Sequence, residues 1–358
     1  MLFRSLLSYH GLQIFIADFY ANPRPIVSLA DARQVVDWTE RVARPADEAK
    51  RRPLPALTAP VLVTGAGGFI GRHLIERLLQ QHDRVRVFVR RELPLDPRLE
   101  VIVGDLGDPE AVDRAVAGTQ IVYHVGAAMS GSREDFERGT VVGTKNILDS
   151  LRRHHVGKLV YVSSLSVLHA AAAKPGMKIN EDWPLEPRAT ERGAYTQTKL
   201  AAEKLVRESG LPAVIVRPGQ VFGPGATAVT GAVAQRVGKR QVILGSGKLV
   251  LPLVYVDDVV DAILLAAKKD TGLWHIVDSA QVTQEQLAPG ALKLPYPLVY
   301  LLAWTAELLL KKRAPLTRYR LQSALAPVAF DCRAAEKELG WKPRVGVEEG
   351  LKRERSLT

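Results

Sequence analysis

A single cysteine, Cys332, in 358 residues excludes an intramolecular disulfide framework and a cluster of thiolate metal ligands. Tryptophan and phenylalanine are few, so nothing suggests an aromatic platform for nucleic acid. The histidines are scattered. His154 and His155 are adjacent, so on a helix they would point about 100° apart. No HxxxH pair or carboxylate cluster has metal-ligand spacing, and no metal is expected. Long hydrophobic runs are also missing. The stretch Met1 to Phe19 is broken by Arg4, Ser8, His10, Gly11 and Asp18, so it lacks a signal-peptide core. The most apolar later run, Leu298 to Leu310, contains Glu307 and is shorter than the roughly 20 residues that a spanning helix needs. The expectation is a cytoplasmic chain without a transmembrane span. Leu298 to Leu310 reads as a buried helix, with a membrane-surface contact as the alternative.

What is present is a globular balance, with 47% hydrophobic and 24% charged residues, which excludes wholesale disorder. Basic residues outnumber acidic ones, 49 to 38, for a net charge of +11. That favours anionic partners in general. The longest basic runs, Lys50-Arg51-Arg52 and Lys311-Lys312-Arg313, are short. The excess therefore reads as a solvated basic surface, and nucleic-acid binding is not expected.

Residues 1–59 read as an N-terminal extension. It holds a helix start at Ser28-Leu-Ala-Asp31 and ends in a stretch rich in proline and charge from Arg44-Pro45 to Pro60. From Val61 short buried strands alternate with amphipathic helices. Strands are expected at 61–63, 85–89, 101–103, 121–124, 158–162 and 213–217; helices are expected at 70–80, 111–116, 140–153 and 194–208. This alternation predicts an α/β fold, a doubly wound parallel sheet of the Rossmann kind. The dinucleotide-binding domain is assigned to 60–217, with a substrate-loop insertion at about 170–193. Residues 218–358 read as a smaller C-terminal substrate-binding subdomain interleaved with the sheet.

The stretch Thr64-Gly65-Ala66-Gly67-Gly68-Phe69-Ile70-Gly71 follows the first strand and opens the first helix. Gly65 and Gly68 permit backbone conformations closed to other residues, and let the chain approach a pyrophosphate. The helix start at Phe69 and Ile70 offers unpaired amide hydrogens to that anion. Gly71 lets the helix pack close to the sheet. The second strand, Val85-Arg86-Val87-Phe88-Val89, ends in Arg90-Arg91. A carboxylate there would accept from the ribose hydroxyl of NAD; a guanidinium can instead pair with a 2′-phosphate. NADP is favoured, with NAD as the alternative. Farther on, Tyr195-Thr-Gln-Thr-Lys199 starts a helix, and four-residue spacing puts phenol and ammonium on one face. A nearby cation is expected to lower the phenol's pKa toward useful acid–base chemistry.

The glycine spacing, followed by Tyr161-Val-Ser163-Ser164 and then the tyrosine–lysine pair, resembles the short-chain dehydrogenase/reductase superfamily. His124-Val-Gly-Ala-Ala128, Arg217-Pro-Gly-Gln-Val-Phe-Gly-Pro224, Tyr255-Val-Asp-Asp-Val259 and Leu339-Gly-Trp-Lys-Pro343 are similar to motifs of its extended branch, which includes epimerases, dehydratases and 3β-hydroxysteroid dehydrogenase-like reductases. The resemblance spans about residues 60 to 350. It implies Ser164, Tyr195 and Lys199 as catalytic residues. Tyr195 would exchange a proton with the substrate oxygen, Ser164 would hold that oxygen, and Lys199 would hold the nicotinamide ribose. It also implies cofactor contacts from Asp105 and Leu106 around the adenine, from Val125, Gly126 and Ala127, from Ser163, and from Pro218, Gly219 and Val221. Family members often dimerise through two helices of the main domain, which admits a homodimer.

Three departures narrow the activity. Leu165 and Ser166 stand where dehydratases of this branch carry two carboxylates. The segment Gly245-Ser-Gly-Lys248-Leu-Val-Leu-Pro-Leu253 has only Lys248 where nucleotide-sugar enzymes usually carry an arginine; its apolar character resembles the steroid and flavonoid reductases, and Leu251→Arg should then be tolerated. Thr140 replaces the family's usual asparagine. The expected activity is hydride transfer between nicotinamide C4 and a secondary alcohol or ketone of steroid, flavonoid or lipid type. An NAD-dependent sugar or nucleotide-sugar epimerase is the alternative. A non-enzymatic nucleotide sensor is the third reading, and the intact Tyr195/Lys199 pair argues against it. Residues 12–44 resemble the C-terminal end of a Gfo/Idh/MocA oxidoreductase, as a fusion remnant would.

Overall fold

The computed structural model describes residues 60–91, 96–238, 240–311, 314 and 316–356. The extension at 1–59, with its resemblance to the end of another oxidoreductase, lies outside the described residues. The main sheet has seven strands: β1 (Val61–Thr64), β2 (Val85–Val89), β3 (Leu99–Val103), β4 (Ile121–His124), β5 (Lys158–Val162), β6 (Ala213–Pro218) and β7 (Gly272–Ile276). All pair in parallel, in the spatial order β7-β6-β5-β4-β1-β2-β3. The order reverses at β1, so the crevice beyond the strand ends lies between β1 and β4.

Helices cover both faces, which is why β1 and β2 are buried along their whole length. On one face α1 (Phe69–Leu78) contributes Leu74, Ile75 and Leu78, and a later helix, Val256–Ala266, contributes Val259, Ile263 and Ala266. On the other face lie α2 (Pro109–Val116), α3 (Gly143–Arg153) and α4 (Ala194–Glu208), through Val112, Ile147, Leu151 and Val206. The helix at 256–266 is α5. Arg86 is the exception in the apolar run of β2. It is fully buried, bonds Glu100 on β3, and donates to the carbonyls of Ala115 and Ala117 at the end of α2. A helix end leaves those carbonyls unpaired, and the guanidinium satisfies them.

After 218 the chain returns to the sheet as β7, which pairs with β6. Its own small core joins Phe222, Ile243, Leu253, Tyr255 and Ala288. Two motifs with no assigned chemistry prove to be one joint. Asp258, in the first turn of α5, accepts backbone hydrogens from Arg344, Val345 and Gly346 at 2.7–3.0 Å. The Trp341 indole donates to the Asp258 carbonyl at 2.8 Å.

Two expectations are overturned here. Leu251 is 4% exposed within that small core, so an arginine there would disrupt packing whatever the substrate is. The apolar character of 249–253 is therefore explained by the core. The apolar run Leu298 to Leu310 is not a buried helix. It forms α6 (Tyr296–Leu310), in which only Val299 and Ala303 are buried, because the helix packs chiefly against one short neighbour, α7 (Arg318–Ala324).

Candidate active site

The site grows from the carboxyl ends of β1, β4, β5 and β6. At β1 the turn has Gly65 at φ +70°, and a Cβ there would lie 2.6 Å from the Gly126 backbone. A Cβ on Gly71 would lie 2.2 Å from the Gly65 carbonyl. Only glycine permits this closeness, and the turn delivers the chain directly into α1 with Phe69 and Ile70 in its first turn. Gly68 is exposed at the N-cap and no side chain caps the helix. Its first amides are therefore left to a bound anion. These residues fit the pyrophosphate of a dinucleotide.

The neighbouring turn is braced from below. The Thr64 hydroxyl and His124 Nδ1 lie 2.7 Å apart, and Nε2 of that histidine lies 3.0 Å from the Thr144 hydroxyl. Burial pushes His124 down to about 3, so it is a neutral strut at physiological pH. The Gly126 amide donates to Thr64, and the Ala128 amide donates to Thr140 at 3.1 Å. Thr140 is buried inside a π-helical stretch, Glu137–Val142, an irregularity frequent at functional sites. Its hydroxyl thus anchors the strip that includes Val125, Gly126 and Ala127.

Asp105 and Leu106 follow β3. The Asp105 Oδ1 accepts from the Gly107 amide at 2.7 Å and from Arg138 at 3.1 Å. Leu106 packs against Gly126 and Gly143, and Asn146 fixes its carbonyl at 2.8 Å. Arg90 and Arg91 stand exposed at the end of β2. On the far side Pro218 ends β6, and Gly219 passes so close to the Pro252 carbonyl that a Cβ would lie 2.1 Å from it. Val221 lies half-buried just beyond.

Ser164 caps a short 3-10 turn just after β5, and its hydroxyl lies near enough to the Tyr195 phenol to favour the phenolate. The Lys199 ammonium, one turn along α4, donates to the Val162 carbonyl at 2.6 Å and lies 4.7 Å over the Tyr161 ring. Those contacts pin the start of α4 to the end of β5. Burial pulls Lys199 down to about 8, against the field of Glu203. The expected lowering of Tyr195 is corrected: burial raises the phenol, and the nearby Ser164 hydroxyl opposes that. The ammonium is turned to the sheet, so desolvation outweighs it. The phenol is then protonated at neutral pH, ready to act as an acid. The kcat/KM for reduction should accordingly be flat up to about pH 8 and then fall toward tenfold per pH unit as Lys199 loses its proton. An unbroken profile through that region would remove the ammonium from the chemistry.

Ser163 is buried, and its hydroxyl donates to Glu203 at 2.6 Å, so its side chain is engaged in the interior. Glu203 pairs through both oxygens with buried Arg217, at 3.0 and 2.5 Å. Arg217 reaches the Glu181 carbonyl and His275 at 3.3 Å each. This buried clamp joins β5, α4, β6, β7 and the segment before the catalytic helix. It was overlooked in the sequence, although Tyr195, Lys199 and Glu203 repeat every four residues on one helix face. Cys332 is half-buried, and burial pushes its thiol up to about 12, which leaves it inert. Lys248 is exposed.

A glycine-cradled helix start at the sheet's reversal, together with a serine, a tyrosine and a lysine at the next strand ends, defines a dinucleotide-dependent oxidoreductase. Residues 61–276 match the NAD dependent epimerase/dehydratase family. The chain belongs to that family and is an NAD(P)-dependent dehydrogenase/reductase of its extended short-chain type. It is 30% identical over 325 residues to a 2-alkyl-3-oxoalkanoate reductase of Stenotrophomonas maltophilia, covering 82% of this chain and 97% of that one. It is 27% identical to the mouse decarboxylating sterol-4-alpha-carboxylate 3-dehydrogenase, with 81% and 88% covered. Among solved structures, MoeE5 in complex with UDP-glucose and NAD is 26% identical, with a TM-score of 0.61 over 84% of this chain and all of that one. A UDP-glucose 4-epimerase of Thermotoga maritima, 22% identical with a TM-score of 0.64 over 83% of this chain and 99% of that one, shares the fold.

Proposed function

We propose that the protein reduces a ketone, or oxidises the matching secondary alcohol, on a steroid-, flavonoid- or lipid-like molecule, with NADP preferred to NAD. The observation that carries the reaction type is the Ser164–Tyr195 hydroxyl pair, followed by Leu165 and Ser166 where an eliminating enzyme needs carboxylates. Leu165 is buried and Ser166 donates its backbone amide to the Ser164 hydroxyl. No base stands there to take a carbon-bound proton. The substrate class is supported by the relatives, an oxoalkanoate reductase and a sterol dehydrogenase. The preference for NADP is supported by two exposed arginines, Arg90 and Arg91, directly after β2.

A bound nicotinamide would supply or accept the hydride. The chain's own part is positional and acid–base. Ser164 and Tyr195 would both hydrogen-bond the substrate oxygen, fixing its carbon. As charge grows on that oxygen during reduction, Tyr195 gives up its proton and the Ser164 hydroxyl stabilises what remains. Lys199, held on the Val162 carbonyl one turn along α4, keeps a positive charge in the buried site. The partners in this reading are a small-molecule substrate and a nucleotide, with a lipid surface added by α6.

Sugar-nucleotide turnover is the competing outcome. The purified protein should consume NADPH with a 2-alkyl-3-oxoalkanoate or a 3-oxosteroid, and should leave UDP-glucose unchanged. Interconversion of UDP-glucose and its 4-epimer without net cofactor consumption would replace this reading with the epimerase.

A further inference from the structure

The helix α6 is apolar on the wrong side. Of its fifteen residues only Val299 and Ala303 are buried. Leu298, Leu301, Leu302, Trp304, Leu308 and Leu309 are exposed, Leu308 by 63% and Leu309 by 78%. At 100° per residue those six fall on one arc of about 160°. Val299 and Ala303 lie on the opposite flank. The arc carries no charge. The helix's one ionised residue, Glu307, lies outside it and is neutralised by Arg318, which donates from its backbone at 2.6 Å and its side chain at 2.7 Å. A soluble surface rarely tolerates so large a contiguous apolar patch.

The next residues show what covers it. Lys311 is exposed at the end of the helix and opens the run Lys311-Lys312-Arg313, in a chain of net charge +11. An apolar helix face with exposed Lys311 at its end, and two more cations next in the sequence, matches an anionic bilayer: hydrocarbon below, phosphate at the rim. Trp304, exposed at one edge of that arc, has the amphipathic ring that settles at the headgroup level. A second copy would bring the same positive run and nothing to neutralise it. Among the described residues no helix is long and apolar enough to cross a membrane. We infer that α6 lies flat on an anionic phospholipid surface, with its Leu298–Leu309 arc in the acyl boundary and Lys311 at the phosphates.

The docked helix is also linked to the site. Glu307 holds Arg318 at the start of α7. From α7, Tyr319 bonds Glu186 and Arg320 donates to the Glu191 carbonyl at 2.9 Å. Arg320 packs on Gly193, the N-cap of the catalytic helix. A lipid-like substrate can thus be taken from the bilayer next to the segment that enters Tyr195. The surface contact stands whatever the substrate is; only this delivery step rests on the substrate reading above.

The test uses the full chain in co-sedimentation with vesicles of phosphatidylglycerol and phosphatidylcholine, against phosphatidylcholine alone. The parent should bind the anionic vesicles at least about tenfold more tightly than the neutral ones. The double variant Leu308→Glu/Leu309→Glu should lose about tenfold or more of that affinity. Its thermal midpoint and its NADPH affinity should match the parent's, since both side chains are exposed. Absence of vesicle binding, or equal binding by parent and variant, overturns the inference. So does a parent dimer that the variant converts to monomer, because a second copy would then be what covers α6. Loss of ketone reduction with vesicle binding retained would count against the proposed function alone.

Discussion

Tyr195→Phe is expected to lower kcat for ketone reduction by about 10³-fold, within the range ascribed to a positioned acid or base, while cofactor affinity stays near the parent's. The phenol lies near the Ser164 hydroxyl, and burial holds it protonated at neutral pH. Removing one oxygen leaves the ring and the helix contacts in place, so the fold should lose only about 1 kcal/mol, the worth of a single hydrogen bond. Stopped-flow reduction with saturating NADPH and a fluorescence titration of the cofactor separate the two effects. A variant as fast as the parent would end the assignment of the proton donor. Equal losses in cofactor binding and turnover would instead make Tyr195 a scaffold for the nucleotide.

Arg90→Ser/Arg91→Ser is expected to weaken NADPH about 100-fold and to change NADH by less than about threefold. Charge-assisted hydrogen bonds contribute about 1.5–3 kcal/mol each, and about 1.4 kcal/mol is a factor of ten. Both arginines are exposed, so their loss should hardly disturb stability. The ratio of the two affinities is therefore the informative quantity. Weakening should also diminish at high salt, where the parent's own advantage is screened. If both nucleotides weaken alike, the arginines serve general electrostatics and the 2′-phosphate role is lost.

These two experiments probe opposite ends of one crevice, and those ends differ in how far the sequence could carry the argument. Arg90 and Arg91 could be placed from the β2 pattern alone, since a strand of five buried residues must end where solvent begins. The serine and tyrosine could be located by order and motif, but their chemistry could not. Whether a phenol sits nearer a cation or nearer an apolar wall depends on neighbours from several elements. Lys199 turned out to bond the Val162 carbonyl, and the expected fall in the Tyr195 pKa became a rise. Ser163 stands beside Ser164 in the sequence, yet its hydroxyl has a different partner. In a strand end, adjacent side chains face opposite sides, and Glu203 claimed it.

By itself the sequence determined the parallel sheet, the glycine turn and the order of Ser164, Tyr195 and Lys199 along the chain, because each depends on local periodicity or on a few residues in fixed register. Tertiary structure alone decided the rest. It showed that Leu251 is core, that Asp258 joins two distant motifs, that Glu203 and Arg217 clamp five elements together, and that the leucine-rich α6 faces outward. Apolar composition states that a face avoids water, but not which surface will cover it. That depends on partners far away in the chain, and for α6 the chain provides only a small one.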